Sequence, residues 1–115
     1  MNTEELAKNK NSMNILYLTL KKQWFDLILS GEKVEEYREV KPYWSHRLHK
    51  KVWDVINFHN GYSKNSPWFN IECIGFCCGT GNQKWGAPPD QDVYILKLGK
   101  IIEYSQSITQ LTVKD

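Results

Sequence analysis

The sequence predicts an α+β fold, mostly β: a small open barrel of about five strands with two short helices. Three observations point there. Several segments alternate apolar and polar residues with a period of two. Two segments change to a helical period. Glycine, proline and asparagine sit between them, where a small barrel needs its turns.

The elements follow in order. "NILYLTL", 14–20, sets Ile15, Tyr17 and Thr19 against Leu16, Leu18 and Leu20, and reads as a first strand covered on at least one face. In "KKQWFDLILSG", 21–31, Trp24, Leu27 and Ile28 share a helical face that Phe25 and Leu29 widen. Gly31 suits the left-handed conformation that ends helices, so this helix should stop at Ser30. "KVEEYREV" returns to extended chain. Pro42 biases Lys41 away from helical geometry and favours the first turn of a second helix, "PYWSHRLHKK", 42–51. "KVWDVINFHN", 51–60, alternates again and stops at Asn60-Gly61, a pair that tolerates positive φ. After a loop to Pro67, "WFNIECIGFCC" reads as a long, largely buried strand. A second loop, punctuated by Gly79, Gly81, Gly86, Pro88 and Pro89, leads into "DVYILKLGKIIEY". There Lys97 continues the face of Val93 and Ile95, so that face should reach water.

A chain of 115 residues closes one core and not two. The expected organisation is a flexible lead at 1–12, one barrel domain at 13–104 and a tail at 105–115. No apolar run approaches the roughly 18–20 residues of a membrane span, and "MNTEELAKNKNS" lacks the apolar core of a secretory signal; a soluble, cytoplasmic protein without membrane partners is expected. A formal charge of +2 is too small to indicate nucleic acid by itself, so only local patches count. The aromatic share, 13%, is high, and wide rings serve both to fill a small barrel and to stack on bases. Cys73, Cys77 and Cys78 are expected to be reduced and to act as small core residues. They lack paired spacing, and His46, His49 and His59 do not complement them as ligands, so neither zinc nor another cofactor is expected.

The segment "GEKVEEYREVKPYW", 31–44, holds the candidate chemistry. Alternation places Lys33, Glu35, Tyr37 and Glu39 on one face and Val34, Glu36 and Arg38 on the other. Both faces carry charge, and a strand in so small a barrel is not solvated on both sides along its whole length. Glu36 can therefore orient the planar donors of Arg38 toward a phosphate or a base edge, with Lys33 reaching in from the strand's start. A surface salt-bridge ladder is the plainer alternative. Tyr37, Tyr43, Trp44 and Trp24 could offer stacking surfaces beside these cations. Burial is the alternative for each, and Tyr43 and Trp44 could instead staple the second helix to the barrel. In "SHRLHKK", Arg47, Lys50 and Lys51 form the strongest basic cluster, suited either to phosphate contact or to a solvated helix C-terminus. "GTGNQKWGAPP" has no phosphate-loop spacing; it reads as a cover over the barrel mouth in which Lys84 and Trp85 contact ligand, or as a plain long turn.

The pattern G-x-K-x-x-E-x-R, carried by Gly31, Lys33, Glu36 and Arg38, resembles the signature of the ASCH domain, a branch of the PUA-like β-barrel superfamily. "LTLKKQWFDLILSGEKVEEYREVKPYW" is similar to that family's first strand, helix and second strand. "VINFHNGYS" and "VYILKLGKI" match the general run of its later strands. The resemblance spans roughly residues 14–103, with its specific part in the first third. It implies an open barrel whose cleft lies near the first helix and the charged strand and binds RNA or a modified nucleoside or nucleotide. It also implies an enzymatic alternative, since members include amidohydrolases acting on acylated cytidine and ribonucleases. The hydrolases use a lysine, a hydroxyl nucleophile and a carboxylate. Lys33 matches the lysine, but Glu36 stands where the hydroxyl belongs and cannot replace an alcohol activated by a base; Glu72 is the one candidate for the carboxylate. Binding through Lys33, Glu36, Arg38, Tyr37, Tyr43 and Trp44 is thus the expected function. A protein-interaction module using the aromatic patch is a third alternative.

Overall fold

The computed structural model describes residues 12–108. The lead expected at 1–12 lies outside them except for Ser12, as does the tail beyond Ile108. The elements run β1 (Ile15–Thr19), α1 (Lys22–Leu29), β2 (Glu35–Glu39), α2 (Pro42–His49), β3 (Val55–His59), β4 (Trp68–Thr80), a 3₁₀ turn (Gln83–Trp85) and β5 (Asp92–Tyr104). This is the expected α+β domain: five strands form one curled sheet in the order β1-β3-β4-β5-β2, with short helices against it. Only β1 and β3 pair in parallel; every other neighbour is antiparallel.

The two edge strands, β1 and β2, do not pair. Their approach is marked by one side chain: Arg38 on β2 donates from Nη2 to the Thr19 carbonyl on β1 at 3.2 Å. The sheet is therefore an open half-barrel whose mouth a guanidinium spans, and that opening positions the site.

Alternation places the core as expected. Leu16 and Leu18 of β1 face Ile56 and Phe58 of β3, and Phe69 and Ile71 of β4 complete the layer. Phe69 lies with its ring centroid 4.9 Å from Phe25 and 5.7 Å from Phe58, which seats α1 in the concave side of the sheet. Burying each such side chain contributes about 1.5–3 kcal/mol. Ile108 also belongs to this core.

Helix α1 has no side-chain cap at its N-terminus, yet it stops sharply. Gly31, at φ +86°, donates to the Ile28 carbonyl, and the Lys33 N–H then folds back onto Leu27 O at 3.0 Å. That return fixes the backbone from which Lys33 projects.

Several expectations need correction. All three cysteines are free thiols; Cys73 is half-buried and packs against the core, whereas Cys77 and Cys78 are exposed and not core residues. The reason is that β4 is far longer than β3, which pairs only as far as Glu72 opposite Val55. Beyond that point, among the described residues, β4 has no neighbouring strand on its β3 side and runs as a sheet edge beside β5, whose other side β2 pairs, and there Cys77 and Cys78 reach solvent. Helix α2 ends at His49 and β3 starts at Val55, so the intervening residues belong to neither element. Lys33 lies two positions before β2, which starts at Glu35, and its Nζ reaches both Glu36 and the Tyr37 ring, so strand alternation does not confine it to one face.

Candidate ligand-binding site

Lys33, Glu36 and Arg38 form one linked ionic cluster. Lys33 Nζ donates to Glu36 Oε1 at 3.0 Å and to the Glu35 carbonyl at 2.5 Å, while Glu36 Oε2 accepts from Arg38 Nη2 at 2.8 Å. Lys33 is 1% exposed, Glu36 6%, and the Arg38 side chain 17%. The carboxylate is thus shared between two cations in a setting of low dielectric, where each pairing is much stronger than on a surface. Burial pushes the Lys33 ammonium below its ordinary value. The attraction and hydrogen bond of Glu36 oppose that shift, while the charge of Arg38 adds to it.

Two aromatic rings close over Lys33. Its Nζ lies 4.9 Å from the Tyr37 ring centroid and 5.4 Å from that of Trp24. The glycine loop seals these rings from outside. The Asn82 N–H donates to Tyr37 Oη at 2.9 Å. Gly81 leaves no room for a Cβ, which would come within 2.8 Å of the Tyr37 ring, and a Cβ on Gly86 would come within 2.9 Å of Trp24. The loop is therefore a fitted cover of the lysine, with Lys84 exposed on its outer side.

Tyr37 also donates from its hydroxyl to Glu35 Oε1 at 2.7 Å. Burial, together with the nearby carboxylates, pushes its pKa up to about 12 against the downward influence of the Asn82 N–H. A folded pKa above the unfolded one stabilises the fold fully below the unfolded value, about 10. That contribution disappears as pH rises through about 12. Wild-type protein should lose thermal stability across this alkaline window more steeply than Tyr37→Phe, measured as Tm against pH. Parallel curves would assign the loss to other groups.

Arg38 faces the other way, into an open cleft. Its guanidinium carbon lies 4.8 Å from the Trp44 ring centroid, and Arg47 approaches the same ring at 5.5 Å while donating to the Tyr17 carbonyl. Arg38 Nε is buried and has no hydrogen-bond partner, an orphan of the kind that calls for explanation. The cleft has a volume of about 640 Å³, and its lining joins Lys21, Arg38, Tyr43, Trp44 and Arg47 to Tyr62 of the 60–66 loop. Among the described residues, none that lines it carries a carboxylate. Trp44 meets Tyr43 edge to face at 4.8 Å, so the two rings brace each other at the start of α2.

The remaining candidates fall elsewhere. Glu72 does not join the cluster; its Oε1 accepts from the Lys100 N–H at 2.8 Å and occupies the space left by Gly99 at an irregularity between β4 and β5. The basic run "SHRLHKK" is split by the end of α2. Arg47 turns to Trp44, whereas Lys50 and Lys51 line a separate groove of about 630 Å³ with Val52, Ile74 and Phe76. Thr19, Asn60 and Tyr62 were absent from the sequence-based set of site residues. The Asn60-Gly61 turn signal pointed at a loop, and nothing local shows that this loop faces β2.

Among the described residues, no group of three His, Cys, Asp or Glu side chains is placed to hold a metal, and no helix is long and apolar enough to cross a membrane. No protein-family model matches the chain, and neither a curated protein nor a solved structure matches it.

Proposed function

We propose that the chain is an ASCH-like, PUA-like domain that binds RNA or a nucleotide in the cleft between Arg38, Trp44 and Arg47. The observation that carries this reading is the state of Arg38. Glu36 and the Thr19 carbonyl hold its guanidinium against Trp44, at the wall of a cleft whose described lining carries no carboxylate. An oriented planar cation beside an indole suits an anionic, aromatic ligand: phosphate or a base edge for the guanidinium, a base for the rings. Lys33 then acts from behind, balancing Glu36 so that the carboxylate can orient Arg38.

The hydrolase reading has less support. Lys33 is enclosed and already donates to Glu35 and Glu36, the hydroxyl position is filled by Glu36, and Glu72 serves a β-ribbon irregularity. A base must come within hydrogen-bond reach of the proton it removes, and here the cover loop would first have to leave.

Titration of the protein with uridine monophosphate and cytidine monophosphate, followed by Trp fluorescence, tests the binding reading. Arg38→Ala should weaken binding by about 10- to 100-fold, the equivalent of one charge-assisted hydrogen bond. Binding that Arg38→Ala leaves unchanged in a folded protein would place the ligand elsewhere. Turnover of acylated cytidine by wild type but not by Lys33→Ala would replace the binding reading with the enzymatic one.

A further inference from the structure

We propose that the ligand is a single-stranded polynucleotide which leaves the Arg38–Trp44 cleft across Tyr62 and enters a second subsite formed by His59, Lys64 and Trp68. This rests on the nucleotide-binding reading above and extends it from one nucleotide to a strand. A second cavity of about 270 Å³ adjoins the cleft and shares Gly61 and Tyr62 with it. Among the described residues, none that lines either cavity carries a carboxylate. Together they present Lys21, Arg38, Arg47 and Lys64, a local excess of cations larger than the +2 of the whole chain. Tyr43, Trp44, Tyr62 and Trp68 are interleaved with these cations. Alternation of stacking surfaces with cations along a path is how proteins hold single strands.

The floor between the cavities is continuous and polar. Thr19 lines the first cavity and His59 the second, and Thr19 Oγ1 and His59 Nε2 share a hydrogen bond of 2.8 Å; His59 Nδ1 reaches Asn57 Oδ1 at 3.3 Å. Burial, reinforced by the Arg47 charge, lowers the His59 pKa and favours the uncharged imidazole, whose two nitrogens Thr19 and Asn57 hold in place as a fixed, neutral ring in the cavity floor.

Tyr62 is the strongest pointer. Its side chain is 92% exposed, and no hydrogen bond or ring contact engages it among the described residues. Yet the loop beneath it is pinned. Asn60 Nδ2 donates to the Leu20 carbonyl at 2.9 Å, the Asn60 N–H to Pro67 O at 3.0 Å, and the Ser63 N–H to Ser66 Oγ at 3.1 Å. Gly61, at φ +124°, permits the turn. A pinned loop presents a bare aromatic ring where two basic cavities meet, which is where a strand crossing from one to the other would stack a base.

Fluorescence anisotropy with labelled hexauridylate and hexathymidylate, alongside unlabelled uridine monophosphate as competitor, tests the inference. Wild type should bind a hexamer at least about tenfold more tightly than the monophosphate, because stacking on each further base adds that much or more. Lys64→Ala, at an exposed loop position that lines only the second cavity, should reduce this advantage and leave monophosphate binding unchanged, whereas Tyr62→Ala, at a residue both cavities share, should weaken the hexamer more than the monophosphate. The His59 ring resonances should shift with the hexamer and not with the monophosphate. A preference for hexauridylate would identify RNA, and equal binding would identify single strands of either sugar. Equal affinity for monomer and hexamer would overturn the second subsite while the first cleft stands, as would a hexamer advantage that Lys64→Ala leaves unchanged. Absence of binding to every probe would overturn both.

Discussion

Glu36→Ala is expected to lower the stability of the domain by about 3–5 kcal/mol, read as the shift of a urea unfolding midpoint at unchanged slope. The substitution leaves Lys33 and Arg38, both largely removed from water, without the carboxylate that compensates them. Lys22–Asp26 on α1 provides the internal contrast. At 2.6 Å it is the shorter contact, but its side chains are 78% and 52% exposed. Asp26→Ala should therefore cost no more than about 0.5 kcal/mol, the usual value of an i,i+4 surface pair. Distance does not decide between the two; access of water does. A loss below about 1 kcal/mol for Glu36→Ala would mean that water reaches the cluster and that Arg38 is not held in place by it.

Gly86→Val should cost at least about 2 kcal/mol, because two penalties act together. The backbone sits at φ +98°, which a β-branched residue tolerates poorly, and a Cβ there would meet Trp24 at 2.9 Å. The consequence goes beyond stability, because Trp24 and the cover loop exclude water from Lys33. Displacing them should raise the Lys33 pKa toward its ordinary value, since desolvation is the largest cause of its depression. Selective labelling of Lys33 by an amine-reactive reagent in the variant, against protection in wild type, would report that opening. Equal protection in a destabilised variant would show that the rings shield the lysine without help from the loop.

Much of this architecture is legible along the chain. The period of two at 14–20 and 92–104 and the helical period at 21–31 mark β1, β5 and α1, because an apolar face must meet a core whatever its neighbours are. Gly31 marks the helix end for a local steric reason. The grouping of Lys33, Glu36 and Arg38 is visible too, since an i,i+3 and an i,i+2 spacing keep the three within reach of one another. The face of Lys33 is not: that depends on where hydrogen bonding to β5 begins, and β5 lies some sixty residues further on. The exposure of Cys77 and Cys78 is likewise invisible, because "WFNIECIGFCC" carries the composition of a buried strand while its burial depends on the length of β3.

What the amino-acid order alone determined, then, is the set of elements and the cation-carboxylate-cation arrangement of Lys33, Glu36 and Arg38, all consequences of contacts between residues close in sequence. Only the tertiary structure decided that Arg38 would reach the Thr19 carbonyl across the open edge, that Gly81 and Gly86 would close over Tyr37 and Trp24, and that the Tyr62 loop would join the lining of the cleft. Each of these joins segments separated by many residues. Such contacts arise from how the sheet curls and which strands become neighbours, a cooperative outcome of packing that no local pattern encodes.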